Sequence, residues 1–238
     1  MAKILYMDDG YLTEFDATVT RVEGDGKAVA LDQTAFYPTG GGQPNDEGKL
    51  VRVSDGKEFL VTTVRKAEGE ILHDVCEPGL VVGDKVRGEI DWKRRFKLMR
   101  MHTAAHVLAA TVGKLAGALV TGKQLELQQS RIDFSVEQFD REKIQQYTDE
   151  ANKAIATNAP VKTYFLPREE AMKIPGIVKL AERMPPNIPE LRIVEIVGVD
   201  IQACGGTHVK AVGEIGKINV LKAENKGKTN RRMYYKVE

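Results

Sequence analysis

Hydrophobic and polar residues occur in short alternating runs over the first 91 residues of the chain. Glycine-bearing turn signals separate the runs, as at Glu23–Gly26 and at Asp55–Gly56. Closely spaced strands with such turns are typical of a small β-barrel, so we predict a barrel domain over residues 1–91. The predicted strands cover residues 17–22, 27–32, 50–53, 59–64 and 81–90.

Helical spacing replaces this alternation after Asp91. Residues 92–116 contain no proline, and their apolar side chains recur at helical intervals. Asp140 is a suitable cap for a second helix that runs to about Asn158, because its carboxylate can accept a hydrogen bond from the first turn. A third helix is predicted to start at Pro167.

Runs rich in valine and isoleucine predict a sheet among these helices. Pro185, Pro186 and Pro189 predict an irregular connection before the second of these runs. Because strands and helices do not alternate regularly, we predict an α+β domain with an antiparallel sheet over residues 92–238. Its predicted strands cover residues 131–136, 191–201, 215–221 and 233–237.

Four potential metal ligands occur in two motifs about 100 residues apart. His102 and His106 are four residues apart in the predicted helix, which places both imidazoles on one face. Cys204 and His208 have the same spacing around two glycines, which permit the backbone conformations of a tight turn. Nitrogen and sulfur ligands favour Zn²⁺ over magnesium or calcium. We therefore predict one zinc ion per chain, bound by these four residues.

A zinc site of this kind can be structural or catalytic. Structural sites have four protein ligands, whereas catalytic sites usually have three and a water molecule. The four candidates leave both interpretations open. His73 and Cys76 lie in the predicted barrel and are interpreted as structural residues.

The composition argues against a membrane-spanning protein and against a disulfide-rich secreted protein. No apolar run approaches the roughly 20 residues that are needed to cross a bilayer. The N-terminus lacks the apolar core of a signal peptide, and two cysteines are too few for a disulfide scaffold. We therefore expect a protein that does not associate with membranes and is located in the reducing cytoplasm.

Charge is divided unequally along the chain. Residues 1–91 carry 10 basic and 18 acidic residues, and the remainder carries 25 basic and 16 acidic residues. The positive second part favours a polyanionic partner such as a nucleic acid. The alternative is that these charges lie on solvated surfaces that bind no partner, which would give the same unequal charge distribution.

The two ligand motifs and their surroundings resemble the editing domain of alanyl-tRNA synthetase. Residues 102–106 read H-T-A-A-H, and residues 204–208 read C-G-G-T-H. Residues 36–44 read F-Y-P-T-G-G-G-Q-P and resemble the glycine-rich motif of the barrel that precedes that domain. The runs at 166–171 and 212–216 are also similar. The resemblance covers nearly the whole chain, and the two-part layout is similar to the free-standing alanyl-tRNA editing proteins of medium length, the AlaX family.

The resemblance implies a small N-terminal β-barrel followed by an α+β editing domain with an antiparallel sheet and a zinc site. It also implies a hydrolase that edits in trans, releasing serine, or glycine for some members, from mischarged tRNA(Ala). Two alternatives stay open: a non-catalytic tRNA-binding module with a structural zinc, and editing of another mischarged tRNA. The glycine-rich barrel motif argues against the latter.

Three further site predictions concern the substrate. Thr121 aligns with a Ser/Thr position of the family and is predicted to read the serine hydroxyl; the alternative is a turn threonine. Gly41 and Gly42 are predicted to let the backbone approach the substrate, and Gln43 to assist hydrolysis. The alternative for this segment is a simple barrel turn.

Two basic clusters are predicted to contact tRNA phosphates. Arg94 and Arg95 precede the histidine pair, and Lys228, Arg231 and Arg232 lie near the C-terminus. The alternative is that both clusters are solvated faces with local salt bridges.

Overall fold

The computed structural model describes residues 2–137, 140–177 and 188–238. Internal contacts divide the chain into two compact units, Met1–Lys97 and Leu98–Glu238. The division predicted after residue 91 stays a prediction. Of the three prolines predicted to mark a connection, Pro185 and Pro186 lie outside the described residues.

Alternating burial explains why the first unit forms strands. Along Glu14–Glu23 the side chains of Phe15, Ala17 and Val19 are buried, and those between them are more exposed. One face of such a strand can therefore join a core while the other meets water. The elements of this unit are β1 Lys3–Ile4, α1 Leu5–Asp8, β2 Glu14–Glu23, β3 Ala28–Leu31, β4 Gln33–Thr34, β5 Gly48–Arg52, β6 Glu58–Ala67, β7 Glu70–Val75 and β8 Lys85–Ile90.

Six of these strands pair in the order β2-β3-β7-β6-β5-β8, and β8 also pairs with β2, which closes the barrel. All six pairings are antiparallel, whereas β1 and β4 pair in parallel. The interior is apolar and includes Phe15, Phe36, Leu50 and Phe59. Burial of these large side chains is the main stabilising contribution in this unit.

Two details of this unit differ from the sequence prediction. The strand predicted over 81–90 starts only at Lys85, because Val81 and Asp84 form a turn. Its backbone bond runs from Asp84 N to Val81 O at 3.1 Å, and the Asp84 carboxylate accepts from Val81 N at 3.0 Å. Strand β7 was not predicted, because three consecutive residues of it are buried and its pattern does not alternate.

A buried ion pair lies next to the glycine-rich segment. Arg95 and Asp46 are both fully buried, and the guanidinium binds both carboxylate oxygens of Asp46. The same carboxylate accepts from Tyr37 N at 2.6 Å, and Arg95 Nη1 donates to Gly10 O at 2.8 Å. Because its partners supply these further hydrogen bonds, the pair can hold the segment between Tyr37 and Asp46 in place despite the cost of burying charge.

His73 of β7 is buried in the same unit and is expected to make its stability depend on pH. Its Nε2 lies 2.8 Å from Thr34 Oγ1 and its Nδ1 lies 3.2 Å from Val29 O. Burial lowers the pKa of His73 to about 4. The unfolded chain therefore binds this proton first as the pH falls, so the contribution is fully present above the unfolded pKa of about 6.5 and is lost progressively towards about pH 4.

We expect the His73→Gln variant to remove this dependence. Between about pH 7 and about pH 5, the free energy of unfolding of the wild type should fall by about 2 kcal/mol more than that of the variant. Urea unfolding at the two pH values measures the difference. Equal losses in both proteins would show that His73 does not carry this proton linkage.

The second unit combines helices with two antiparallel sheets. The predicted helix over 92–116 is confirmed, and so is the predicted α+β fold with mostly antiparallel pairing. The elements are α2 Trp92–Ala116, which starts in the first unit, β9 Val120–Gln124, β10 Ser130–Ser135, α3 Arg141–Ala156, β11 Val161–Pro167, α4 Arg168–Ala171, β12 Glu190–Ile196, β13 Asp200–Ala203, a 3₁₀ helix Val212–Ile215, β14 Ile218–Asn225 and β15 Asn230–Val237.

Helix starts in this unit follow the predicted caps. The Asp140 carboxylate accepts from Lys143 N at 2.8 Å at the start of α3, and α4 starts directly after Pro167. Tyr147, Ala151 and Ile155 form the buried face of α3. Within the described ranges, no helix combines the length and the apolar character that crossing a membrane requires.

The sheets have the orders β14-β15-β10-β9 and β11-β12-β13. The strand predicted over 191–201 is instead a hairpin of β12 and β13, because Gly198 turns the chain with φ of 75° and Val199 N donates to Ile196 O at 2.8 Å. The strand predicted to start at 215 begins at Ile218, because the 3₁₀ helix occupies the residues before it. Strands β9 and β11 were not predicted.

Candidate metal centre

Helix α2 supplies the first two candidate ligands. His102 and His106 are one turn apart on its buried side, each about 1% exposed, with ring centroids 5.2 Å apart. The residues between them include Ala104 and Ala105, which are buried and small. Helical spacing therefore aims both imidazoles at one place, as the sequence predicts.

The loop that follows β13 supplies the other two. Arg192 of β12 fixes this loop, because its Nη1 donates to Cys204 O and to Gly206 O, both at 2.9 Å. Gly206 N approaches Cys204 Sγ at 3.5 Å. Neither glycine of the motif is among the positive-φ residues of the described chain, so the loop is shaped by Arg192 and not by left-handed backbone.

The four predicted ligands converge. One ligand atom from each of His102, His106, Cys204 and His208 lies within 4.8 Å of the others. Cys204 Sγ lies 3.6 Å from His102 Nε2 and 3.4 Å from His208 Nε2. Metal bonds of about 2.0 Å to nitrogen and about 2.3 Å to sulfur, at tetrahedral angles, separate such atoms by about 3.5 Å. The quartet therefore has the donor set of a metal site, and its two sulfur–nitrogen distances match tetrahedral spacing.

Neighbouring polar groups orient the rings. Thr103 Oγ1 donates to Met99 O at 3.0 Å, so it accepts from His208 Nδ1, which lies 3.1 Å away. This assigns the His208 proton to Nδ1 and leaves Nε2 as the metal-binding atom. Asp200 Oδ2 lies 3.4 Å from His106 Nδ1, so a buried carboxylate faces that ring.

Lys123 and Arg192 place positive charge near the buried, neutral histidines. Burial lowers the pKa of His102 and of His208 well below its usual value, and the charge of Lys123 lowers that of both further. Neutral histidines are the form that binds a metal ion. Lys123 Nζ lies 2.7 Å from His102 Nε2, and burial also lowers the pKa of Lys123.

Lys123 is a site residue that the sequence analysis missed. It lies on β9, where it pairs with Ile132, and Ile132 is buried. Alternation along a strand places paired residues on the same face. The alternation that reveals Lys123 is visible only once β9 is known to be a strand. The glycine and polar residues of β9 do not predict a strand.

The predicted substrate residues have different surroundings. Thr121 is exposed, and its hydroxyl donates to Asn230 Oδ1 at 2.9 Å instead of to a member of the quartet. Gln43 is fully buried in the first unit. Its backbone exchanges hydrogen bonds with Gly40, which makes Gly41 and Gly42 the centre of a tight turn, both with positive φ.

The residues predicted to contact tRNA differ in how exposed they are. Lys228 is exposed, and Arg232 forms two hydrogen bonds with Asp133 at 2.7 and 2.8 Å. Arg94 is mostly covered and pairs with Glu47 at 3.1 Å.

Two of the predicted contacts need correction. Arg95 is fully buried in the ion pair with Asp46. Arg231 is also buried, and its guanidinium donates to backbone carbonyls, including Gly227 O at 2.8 Å. Because their charges are already paired or bound inside the protein, the structure is at odds with the prediction that these two arginines contact tRNA.

Comparison with known protein families gives two matches. A family model described as the threonyl and alanyl tRNA synthetase second additional domain matches residues 191–234. A second, described as class II (A) tRNA synthetases, matches residues 3–94. The first match contains Cys204 and His208, and the second contains the glycine-rich segment.

Comparison with curated proteins extends the similarity to the full chain. The chain is 53% identical over 240 residues to the alanyl-tRNA editing protein AlaX-M of Methanosarcina barkeri, an alignment that covers 99% of this chain and 98% of the relative. It is 50% identical to AlaX-M of Saccharolobus solfataricus, with 100% of both chains covered. The alanine–tRNA ligase of Methanothrix thermoacetophila is 42% identical over 215 residues, which are 89% of this chain but 23% of the ligase.

These similarities confirm the resemblance that the sequence motifs indicate. The chain aligns over almost the full length of AlaX-M proteins at 50–53% identity, and with 23% of the ligase at 42% identity. The chain belongs to the AlaX-M family of alanyl-tRNA editing proteins.

Proposed function

We propose that this protein edits in trans, hydrolysing the aminoacyl ester of mischarged tRNA(Ala) with one zinc ion bound by the quartet. The observation that carries the proposal is the convergence of His102, His106, Cys204 and His208 in a chain that is about half identical to AlaX-M proteins over its full length. Serine is the expected amino acid on the tRNA, with glycine as a second substrate. Two free thiols, of which one is a candidate ligand, fit a reducing cytoplasm.

Zinc is the metal that this donor set favours. Three imidazoles and one thiol are nitrogen and sulfur ligands, whereas calcium and magnesium prefer oxygen ligands. When bound, zinc supplies Lewis acidity, a bound water of lowered pKa, or an anchor for the α-amino group of the substrate.

The residues of the chain prepare the site for ester hydrolysis. Water adds to the carbonyl carbon, the bond to the ribose oxygen breaks, and that oxygen takes a proton, which gives the free amino acid and the tRNA hydroxyl. Negative charge develops on the carbonyl oxygen during the addition, and the Lys123 ammonium next to His102 stabilises it. Asp200 and Thr103 keep His106 and His208 oriented.

The other predicted site residues remain proposals. Gln43 assists hydrolysis in this proposal, with Gly41 and Gly42 allowing close backbone approach, and Thr121 is one candidate reader of the serine hydroxyl. The exposed Lys228 supports a phosphate contact, and Arg94 and Arg232 extend it. These contacts give tRNA binding a steep dependence on salt.

Deacylation assays test the proposed function. The purified zinc-loaded protein is incubated with Ser-, Gly- and Ala-tRNA(Ala) and with Ser-tRNA(Thr), with and without a chelator. We expect rapid release of serine from tRNA(Ala), slow release of alanine and of serine from tRNA(Thr), and loss of activity with the chelator. Rapid hydrolysis of Ser-tRNA(Thr) would identify editing of a different tRNA.

One observation favours a second candidate function. Four protein ligands converge, which is the pattern of a closed structural site. A tRNA-binding module with a structural zinc would bind tRNA(Ala), hydrolyse none of the four substrates and unfold when the chelator removes the metal. An editing hydrolase instead loses activity under chelation in the concentration range where its circular dichroism is still native.

A further inference from the structure

A small cavity lies beside the candidate metal ligand His106. Its volume is about 10 Å³, and Ala105 and Ala109 of α2 form part of its wall. The polar residues that line it are His106, Lys123 and Gln202. A space of this size holds about one water molecule or one hydroxyl group.

Gln202 is the lining residue without a part in the mechanism described above. It lies on β13, where alternation places it on the same buried face as Asp200, and each is 7% exposed. Gln202 Nε2 donates to Asp200 Oδ2 at 2.6 Å, and the same oxygen lies 3.4 Å from His106 Nδ1. The carboxylate can only accept, so it fixes which end of the Gln202 amide is the donor.

This arrangement leaves the Gln202 carbonyl oxygen, Oε1, as an acceptor on a nearly buried side chain that lines the cavity beside His106. The hydrogen bond that the Gln202 side chain makes to a described residue is the one that Nε2 donates to Asp200, so Oε1 is available to a donor that enters the cavity. An acceptor of this kind favours a ligand that brings a donor and disfavours an isosteric ligand without one.

We infer that Gln202 reads the side-chain hydroxyl of a seryl substrate through its Oε1 atom. The inference rests on the proposed deacylase function. The hydroxyl of serine is one donor of the size that the cavity admits, whereas the methyl group of alanine would leave Oε1 without a partner. Gln202 is therefore a specificity-determining residue, distinct from Thr121, whose hydroxyl is exposed and donates to Asn230.

Two substrates and one isosteric variant test this inference. Gln202→Met keeps the length of the side chain and removes its hydrogen bonds. We expect kcat/KM for Ser-tRNA(Ala) to fall by about tenfold or more, the scale of one lost buried hydrogen bond. Gly-tRNA(Ala) has no side chain to read, so its kcat/KM should change by less than about twofold. Zinc content and melting temperature should stay at the wild-type values.

The matched control is Gln145→Met. Gln145 Nε2 also donates to a carboxylate, Asp149 Oδ1, at 2.9 Å, but this pair lies on the exposed face of α3. This variant should leave kcat/KM unchanged for both the seryl and the glycyl substrate. If Gln202→Met does not fold, Gln202→Asn withdraws the oxygen by one methylene and keeps the amide, and the same selective loss is expected.

Several results would overturn the inference. A parallel loss with seryl and glycyl substrates, or a loss of zinc, would mean that Gln202 only supports His106 through Asp200. An unchanged seryl preference would remove Gln202 as the reader, and a selective seryl loss in Thr121→Val instead would assign the role to Thr121. If the wild type hydrolyses Gly-tRNA(Ala) but not Ser-tRNA(Ala), this inference fails alone; if it hydrolyses neither, the proposed function fails with it.

Discussion

Replacing His102 with glutamine is expected to lower kcat/KM for Ser-tRNA(Ala) by about three orders of magnitude and to reduce the zinc content well below one per chain. The physical reason is that the site loses one of three imidazoles whose ligand atoms converge within 4.8 Å. Lewis-acid stabilisation by a metal ion is worth several kcal/mol, and about 1.4 kcal/mol corresponds to tenfold in rate. Metal analysis and deacylation kinetics on the same preparation measure both effects.

The matched control for this experiment is His73→Gln. It makes the same change at a histidine that is also buried but lies in the barrel and contacts Thr34 and Val29. This variant should keep its zinc and its activity at neutral pH. Full zinc content and wild-type turnover in His102→Gln would contradict the assignment of His102 as a ligand. Loss of zinc with retained turnover would show that the metal is structural.

Lys123→Met should reduce kcat for Ser-tRNA(Ala) by about 10²-fold, with KM changed by less than about threefold. The ammonium lies 2.7 Å from His102 Nε2, and in the proposed mechanism its charge stabilises the carbonyl oxygen that becomes negative. Loss of one preorganised group that stabilises such an oxyanion typically costs 10²- to 10³-fold. Single-turnover kinetics separate this effect from product release.

Zinc affinity provides a second measurement on Lys123. A positive charge near a divalent cation opposes metal binding, so Lys123→Met should bind zinc at least as tightly as the wild type. Lys153→Met is the control, because Lys153 pairs with Glu150 at 2.6 Å on the exposed side of α3 and such pairs contribute little. Weaker zinc binding in Lys123→Met would mean that the lysine only holds His102 in place.

Local patterns were sufficient to predict the elements on which the site depends. The unbroken helical spacing of residues 92–116 predicts α2 with its bounds, and hence the common face of His102 and His106. The spacing of Cys204 and His208 predicts a second ligand pair. That the two pairs meet was an inference from chemistry, because three of the four histidines and one of the two cysteines of the chain occur in these two motifs.

The remaining site residues depend on pairings that no local pattern contains. Lys123 is placed by the register of β9 against β10, which includes a bulge between Asp133 and Phe134. Gln202 is placed by a hairpin that the predicted strand over 191–201 hides, since Gly198 is a single glycine in a run rich in valine and isoleucine. Arg95 resembles its basic neighbours in sequence, and only the tertiary position of Asp46 explains why it is buried.

The separation of the two ligand pairs along the chain has a consequence for biosynthesis. His106 and Cys204 are separated by nearly a hundred residues, and closing a loop of that length costs an unfolded chain about 4 kcal/mol of entropy. The ribosome completes α2 about 90 residues before it adds His208, and for most of that interval the nascent chain contains only two of the four candidate ligands. The complete set of four ligands for the proposed zinc ion is therefore present only late in synthesis.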